Sequence, residues 1–101
     1  MPSNIRGSDD FDSAKAFGQN QTWQDVSASR SVGTLYTNDT GKAIAVSWYS
    51  GGSTESSGYV DGMQIVYALC PVGVNTPLFM IVPNGSTYQV NTNAYEWREL
   101  R

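Results

Sequence analysis

The chain of 101 residues contains no histidine and a single cysteine, Cys70. Histidine is the side chain that titrates nearest neutral pH and the commonest metal ligand. Its absence excludes Ser-His-Asp and Cys-His catalytic arrangements and any zinc site built on histidine. One cysteine also excludes an intrachain disulfide and a thiolate zinc cluster within one chain. We expect no cofactor and no metal, and we expect Cys70 to be a small buried apolar side chain because no basic residue lies near it in sequence.

Charged residues are scarce, at 15% of the sequence, and the net charge is −3. The six basic residues are scattered along the chain. Proteins that bind nucleic acid or an anionic membrane surface need clustered cations, so we expect no nucleic acid partner and no membrane partner. A phosphate-binding loop is also missing, because Gly51 and Gly52 are not followed by the Gly-Lys-Ser/Thr motif.

Long apolar runs are absent as well. The longest purely apolar run, residues 78–82, is far short of the ~20 residues of a membrane-spanning helix. Residues 1–6 have no apolar segment of the kind that a signal peptide requires. These features predict a soluble protein that is synthesised in a reducing cytosol.

The residues that replace the missing charges are Ser, Thr, Asn and Gly, which suit turns and the solvent faces of strands. From residue 21 onward, side chains alternate with period two between turn signals spaced eight to twelve residues apart. The predicted strands are 21–26, 34–37, 43–49, 59–69, 78–82, 87–90 and 95–100. This profile is typical of an all-β fold, a small antiparallel β-sandwich or jelly-roll-like domain, with a small barrel as the alternative.

The pattern also predicts the domain organisation. Residues 1–20 form an extended or flexible N-terminal segment, which could contain a short helix over 12–17, and residues 21–101 form one domain. Residues 38–42 and 83–86 read as hairpin turns, and residues 50–58 read as a mobile Gly/Ser-rich loop.

Within the strands, the alternation predicts which side chains are buried. Ile44, Val46 and Trp48 should face the core, and 78–82 should be a fully buried strand. Four apolar side chains of the predicted 59–69 strand should share one face. They are Met63, Ile65, Tyr67 and Leu69.

Carboxylates offer the one route to catalysis that the composition leaves open. Asp61 could pair with Glu96 or Glu99 for glycoside hydrolysis, but scattered acids are usually solvated strand edges or turn residues. A group of acids near the N-terminus resembles the start of a calcium loop, but no glutamate follows at the required spacing. These acids are Asp9, Asp10 and Asp12. We therefore predict that the protein is not an enzyme.

Nine Trp and Tyr residues make a dense aromatic set for a small domain. Flat rings either form a sugar-binding platform or fill the core and subunit interfaces. Tyr49 and Tyr59 flank the Gly/Ser-rich stretch and are candidate binding residues. Tyr95 and Trp97 lie near the chain end among charges and are candidate subunit contacts.

Five segments resemble a β-domain common in phage and prophage tail proteins, where it often forms the C-terminal part of a fibre or tail-tip protein. They are IRGSDDFDS (5–13), FGQNQTWQDV (17–26), RSVGTLYTNDTGK (30–42), IVPNGSTYQV (81–90) and WRELR (97–101). The resemblance implies a structural or host-contacting protein, often homotrimeric, with no catalytic residues. The chain departs from the pattern in lacking a long fibre shaft, which leaves open a place at a fibre cap, a capsid surface or the tail tip.

From this resemblance we expect a virion protein that is made in the host bacterial cytoplasm and contacts other phage structural proteins. We also expect a homo-oligomer, with a trimer favoured, because a small domain with free sheet edges gains stability from symmetric association. Two alternatives remain, a carbohydrate-binding β-sandwich module and a capsid decoration protein. The first overlaps with the virion interpretation if the particle contacts a host-surface glycan.

Overall fold

The computed structural model describes residues 16–51 and 54–101, and this part of the chain is an all-β sandwich. Its elements are β1 (Trp23–Asp25), a 3₁₀ turn (Ser27–Ser29), β2 (Tyr36–Thr37), β3 (Ile44–Ser50), β4 (Glu55–Val60), β5 (Met63–Leu69), β6 (Thr76–Val82), β7 (Thr87–Asn91) and β8 (Tyr95–Leu100). Sheet I has the strand order β1-β8-β3-β6 and sheet II the order β2-β7-β4-β5, with every neighbouring pair antiparallel. The predicted fold class is confirmed. Within the described ranges, no helix is long and apolar enough to cross a membrane.

Part of the predicted N-terminal segment falls outside the described residues. Asp9, Asp10 and Asp12 lie there, as does most of the predicted short helix over 12–17. The described end of this segment, residues 16–20, forms a turn in which Gln19 N–H donates to the Ala16 carbonyl.

The core lies between the two sheets. Ile44, Val46 and Trp48 of β3 are buried, as predicted. They pack with alternate side chains of β6, β7 and β8 and with the end of β4. These partners are Leu78, Met80, Val82, Tyr88, Val90, Trp97 and Val60. Alternation of this kind leaves every second side chain on an outer face.

The turns at 38–42 and 83–86 exist, but the prediction that they close hairpins is wrong. Each one carries the chain from one sheet to the other, since β2 and β7 lie in sheet II while β3 and β6 lie in sheet I. The buried side chain of Asn38 explains the geometry, because its amide donates to the carbonyls of Lys42 at 2.7 Å and Val82 at 3.0 Å. The Asn38 backbone also pairs with Ser86 and Gly85 of the second turn. The two turns are therefore bonded side by side at one end of the sandwich.

The predicted single strand over 59–69 is instead two strands joined by a hairpin. Asp61 and Gly62 form its two-residue loop, and Val60 pairs with Met63 across it. Both loop residues have positive φ, 51° and 80°, as a type I′ turn requires. The Asp-Gly dipeptide is the sequence signal for this turn.

The prediction of a mobile loop over 50–58 is wrong for most of its length, because β4 is a central strand of sheet II. Its small residues make room for Trp48 of the facing sheet. A Cβ at Gly58 would lie 2.7 Å from the ring carbon Cη2 of Trp48 and 2.6 Å from Met80 Sδ. Ser56 Oγ accepts the Trp48 indole N–H at 3.0 Å. Ser and Gly are thus packing residues here.

The edges of the sandwich differ in length. On one side lie β1 and β2, of three and two residues, and on the other lie β6 and β5, of seven residues each. Very short edge strands resist pairing with another chain, whereas long ones invite it. The β5/β6 side is therefore the side that is open to a partner.

Candidate contact surfaces

Glu99, a candidate catalytic acid, has a structural role inside the sandwich. Its side chain is fully buried and receives Nε and Nη2 of Arg30, both at 3.0 Å, and Nη1 of Arg101 at 2.7 Å. The Tyr88 hydroxyl and the Trp97 indole N–H also donate to it, at 3.0 and 3.1 Å. Burial acts to raise the pKa of Glu99, but the hydrogen bonds from Arg30 and Arg101 outweigh it and lower the pKa. The carboxylate is saturated by these donors.

The other candidate acids also have structural partners. Asp61 accepts the Ser86 hydroxyl at 2.8 Å and the Thr87 backbone N–H at 3.0 Å, and these bonds lower its pKa. Glu96 forms an exposed ion pair with Arg98 at 3.0 Å. None of the described hydrogen bonds joins Asp61 to Glu96 or Glu99.

The structure also shows whether a metal-binding group forms and where the cysteine lies. Among the residues that the structure describes, no three Cys, Asp or Glu side chains come together as a metal-binding group. Cys70 is buried, 3% exposed, as predicted for a small apolar residue.

The outer face of sheet I is rich in exposed rings and aliphatic groups. The strand registers place its side chains in three rows: Trp23, Leu100, Ala45, Ile81; then Asp25, Arg98, Ser47, Phe79; then Tyr95, Tyr49, Pro77. Trp23 and Phe79 are each 52% exposed, Tyr95 57% and Tyr49 37%. We call this surface the apolar face. It combines four exposed aromatic rings with one Asp–Arg register pair, Asp25 and Arg98.

The outer face of sheet II is different, because amides and hydroxyls dominate it, although the edge strand β5 also exposes the aliphatic side chains of Ile65 and Leu69. The register gives two rows across three strands: Gln64, Tyr59, Gln89; then Tyr67, Ser57, Asn91. Tyr59 donates to Gln64 Oε1 at 3.2 Å, and Gln89 Nε2 donates to Asn91 Oδ1 at 2.9 Å. We call this surface the polar face.

The predicted common face of Met63, Ile65, Tyr67 and Leu69 is interrupted by an irregularity in the β4–β5 pairing. All four side chains are exposed. The register shifts between Gly58 and Tyr59, so Met63 pairs with the core residue Val60 while Tyr67 pairs with Ser57 on the outer side. A bulge of this kind moves side chains between faces without any mark in the apolar pattern.

The candidate contact residues from the sequence are divided among three places. Tyr49 and Tyr95 are register partners on the apolar face, and Tyr59 lies on the polar face of the other sheet. Tyr49 and Tyr59 therefore do not belong to one binding surface. Whether Tyr49, Tyr59 and Tyr95 bind a partner stays a prediction.

Trp97 is not on the surface, and its assignment as a subunit contact is wrong. It is 3% exposed and packs edge-on against Tyr36 with ring centroids 6.1 Å apart. The cause is a bulge at Glu96, which has φ of 51° and an extra place in the pairing with β3. Strict alternation would put Tyr95 and Trp97 on one face, and the bulge turns Tyr95 outward and Trp97 inward.

The sequence did not single out Trp23, Phe79 and Ile81 as surface residues. The run 78–82 was predicted to be fully buried, but β6 is an edge strand with only one face on the core, so Phe79 and Ile81 point outward. An unbroken apolar run has no period that separates its two faces. Trp23 alternates with the polar residues Thr22 and Gln24, a pattern that favours a buried ring, so its exposure had no signal in the sequence.

The two faces therefore offer different chemistry to a partner. The apolar face presents rings and aliphatic groups around the Asp25–Arg98 pair, and the polar face presents amides and hydroxyls beside two tyrosine rings, with Leu69 at its edge. No family model matches this chain, and no curated protein or solved structure is similar to it.

Proposed function

We propose that this chain is a structural component of a phage virion, from a tail fibre or tail tip, that works through contact with copies of itself and with other virion proteins. The observation that carries the proposal is the apolar face of sheet I. The five segments that resemble phage tail β-domains, in the same order, indicate the class of protein.

The size of the apolar face supports an assembly role. A buried aromatic side chain removes about 150–250 Å² from water, and Trp23, Phe79, Tyr49 and Tyr95 leave roughly half of that open. Their rings alone thus expose on the order of 400 Å², in the range of the largest apolar patch of a typical monomer, and such patches are often interaction sites. Exposed aliphatic side chains such as Ile81 enlarge this patch toward the ~800 Å² that each partner buries in a standard interface.

The open edge next to this face supports the same proposal. Strand β6 carries Phe79 and Ile81 and also forms an edge of sheet I that pairs with no further strand among the described residues. An uncovered seven-residue edge is a site of non-specific pairing unless a neighbouring chain or subunit covers it. One partner seated against β6 would cover the edge and bury both side chains, and the resemblance favours three copies around such a contact.

The ionised groups favour contact over catalysis. Glu99 is saturated by buried donors, Asp61 holds the start of β7, and Glu96 pairs with Arg98 on the surface. Each carboxylate therefore stabilises the sandwich or its surface.

Immunogold electron microscopy of purified phage particles tests the proposal. Antibody raised against the chain is applied to particles from the strain that carries the gene, with particles from a deletion of the gene as the control. We expect gold at one position on the tail of the first sample and none on the second. Particles without label, from a lysate that contains the protein free in solution, would overturn the proposal.

A further inference from the structure

We propose that the polar face of sheet II binds an uncharged carbohydrate chain, with Tyr59 as the stacking ring and Gln64, Gln89 and Asn91 as the hydrogen-bonding groups. As the contact of a virion with a cell surface, this site rests on the function proposed above. As a sugar site, it stands on residues that the apolar face does not use.

The geometry of the face suits a sugar. Gln64, Tyr59 and Gln89 are register partners on three adjacent strands, and the row of Tyr67, Ser57 and Asn91 lies beside them. Three strands span about 10 Å, and residues two apart along a strand are about 7 Å apart. The two rows thus form a flat patch with room for one or two pyranose rings and a tyrosine at each level.

The hydrogen bonds within the patch leave both donors and acceptors for a ligand. Because Tyr59 donates to the Gln64 carbonyl and Gln89 donates to the Asn91 carbonyl, the two amides that accept keep their N–H groups. Within the described residues, Gln64 Nε2, Asn91 Nδ2 and Gln89 Oε1 have no protein partner. Neighbouring sugar hydroxyls donate and accept at once, so amide groups that offer both functions match them.

The charge of sheet II identifies the ligand class. Its four strands contain one ionisable acid, Glu55, and no Lys or Arg. Glu55 is hydrogen-bonded to the Tyr67 hydroxyl at 3.3 Å. Phosphate, sulfate or an anionic lipid would find no counter-charge on this face. An uncharged, hydroxyl-rich carbohydrate is a ligand that requires no counter-charge.

The apolar face of sheet I lacks this combination. Its rows place Ile81, Leu100 and Pro77 beside the rings, where a sugar hydroxyl would lose its water without gaining a partner. On sheet II the exposed side chain of Leu69 lies opposite Glu55, outside the two rows of amides and hydroxyls. The two faces therefore separate assembly from sugar binding.

The test is binding of the full chain to a printed array of purified bacterial surface polysaccharides, followed by calorimetric titration with the strongest binder. We expect saturable binding that Tyr59→Ala and Gln89→Ala each weaken by about tenfold, since each removes a stacking ring or a hydrogen bond of roughly 1.4 kcal/mol. Tyr59→Phe keeps the ring and should retain most of the affinity. Phe17→Ala, which removes an exposed aromatic ring outside both faces, is the matched control and should bind as the unmodified chain does.

An array without a bound polysaccharide would overturn the sugar site, as would binding that survives both Tyr59→Ala and Gln89→Ala. The two proposals fail separately, because the oligomeric mass and the immunogold label do not involve Tyr59. If the protein is labelled on particles and forms oligomers but binds no sugar, only the polar-face site is contradicted. If the protein binds sugar but is absent from particles, only the virion function is contradicted.

Discussion

The indole N–H of Trp48 in sheet I donates a 3.0 Å hydrogen bond to Ser56 Oγ in sheet II, across the middle of the core. Ser56 in turn donates to the Asn93 carbonyl at 2.8 Å. A buried tryptophan needs a partner for its N–H, and a serine on a central strand supplies one. The pair shows how a Ser- and Gly-rich stretch becomes part of a core.

Replacement of Ser56 by alanine should therefore cost stability. Ser56→Ala leaves the Trp48 N–H buried without an acceptor, and we expect the free energy of unfolding to fall by about 1–3 kcal/mol. Urea unfolding monitored by tryptophan fluorescence measures this change in the free energy of unfolding. Ser31→Ala, which removes an exposed hydroxyl outside the core, should change the same quantity by less than about 0.5 kcal/mol. Equal losses in the two variants would contradict the role of the Ser56 hydroxyl.

Among the described polar contacts, a substitution in the hydrogen-bond network around Glu99 should cost the most stability. Glu99→Gln removes the charge that Arg30 and Arg101 face, and we expect a loss of up to about 3–5 kcal/mol because two partly buried guanidinium groups then lack a counter-charge. Glu96→Gln, which breaks the exposed pair with Arg98, should cost about 0–1 kcal/mol. Thermal unfolding by circular dichroism compares the two. If the Glu96 variant proves as unstable as the Glu99 variant, the network is not what holds the C-terminal strand.

Acid should destabilise the protein. The pKa of Glu99 is below its ordinary value of 4.5, so the unfolded chain takes up a proton more readily than the folded one. This contribution to stability is complete above the ordinary pKa and is lost as the pH falls through the folded value. Asp25 and Asp61 act in the same direction.

Urea unfolding between pH 7 and pH 3 measures this dependence. We expect a nearly constant free energy of unfolding down to about pH 5 and a decline below that. Glu99→Gln should show a shallower decline because one of the shifted acids is gone. A free energy that is unchanged or higher at pH 3 would be inconsistent with the lowered pKa values.

Replacement of the Phe79 ring by an acid should break the assembly. Phe79→Asp places a carboxylate where the proposed contact buries a ring, and the folded monomer tolerates it because Phe79 points outward. We expect dissociation to monomers with little change in monomer stability, read by sedimentation velocity. Leu35→Asp makes the same change at a residue that is 60% exposed and precedes β2 of the other sheet, outside the apolar face, and it should leave the assembly intact. Dissociation by Leu35→Asp, or none by Phe79→Asp, places the contact elsewhere.

The fold class followed from the sequence because period-two alternation is a local property. Ile44, Val46 and Trp48 show it clearly, and they are buried as predicted. Sheet membership is not local, so the turns at 38–42 and 83–86 were recognised as turns but assigned the wrong connection. The bond between Asn38 and the second turn, which fixes that connection, joins residues 44 or more positions apart.

The contact surfaces were harder to predict, and bulges are the physical reason. One residue inserted at Glu96 exchanged the faces of Tyr95 and Trp97, and the shift beside Tyr59 did the same for the start of β5. A bulge changes the register of a strand without changing its composition. Tyr49 is exposed and Tyr59 is partly exposed, and only the sheet order shows that they lie on opposite faces.

The mass of the unmodified chain in solution tests the contact function most directly. Multi-angle light scattering at micromolar concentration should give a multiple of the 11.0 kDa chain mass, with three copies favoured. A single species of 11.0 kDa that persists as the concentration is raised would mean that the apolar face does not join copies of this chain.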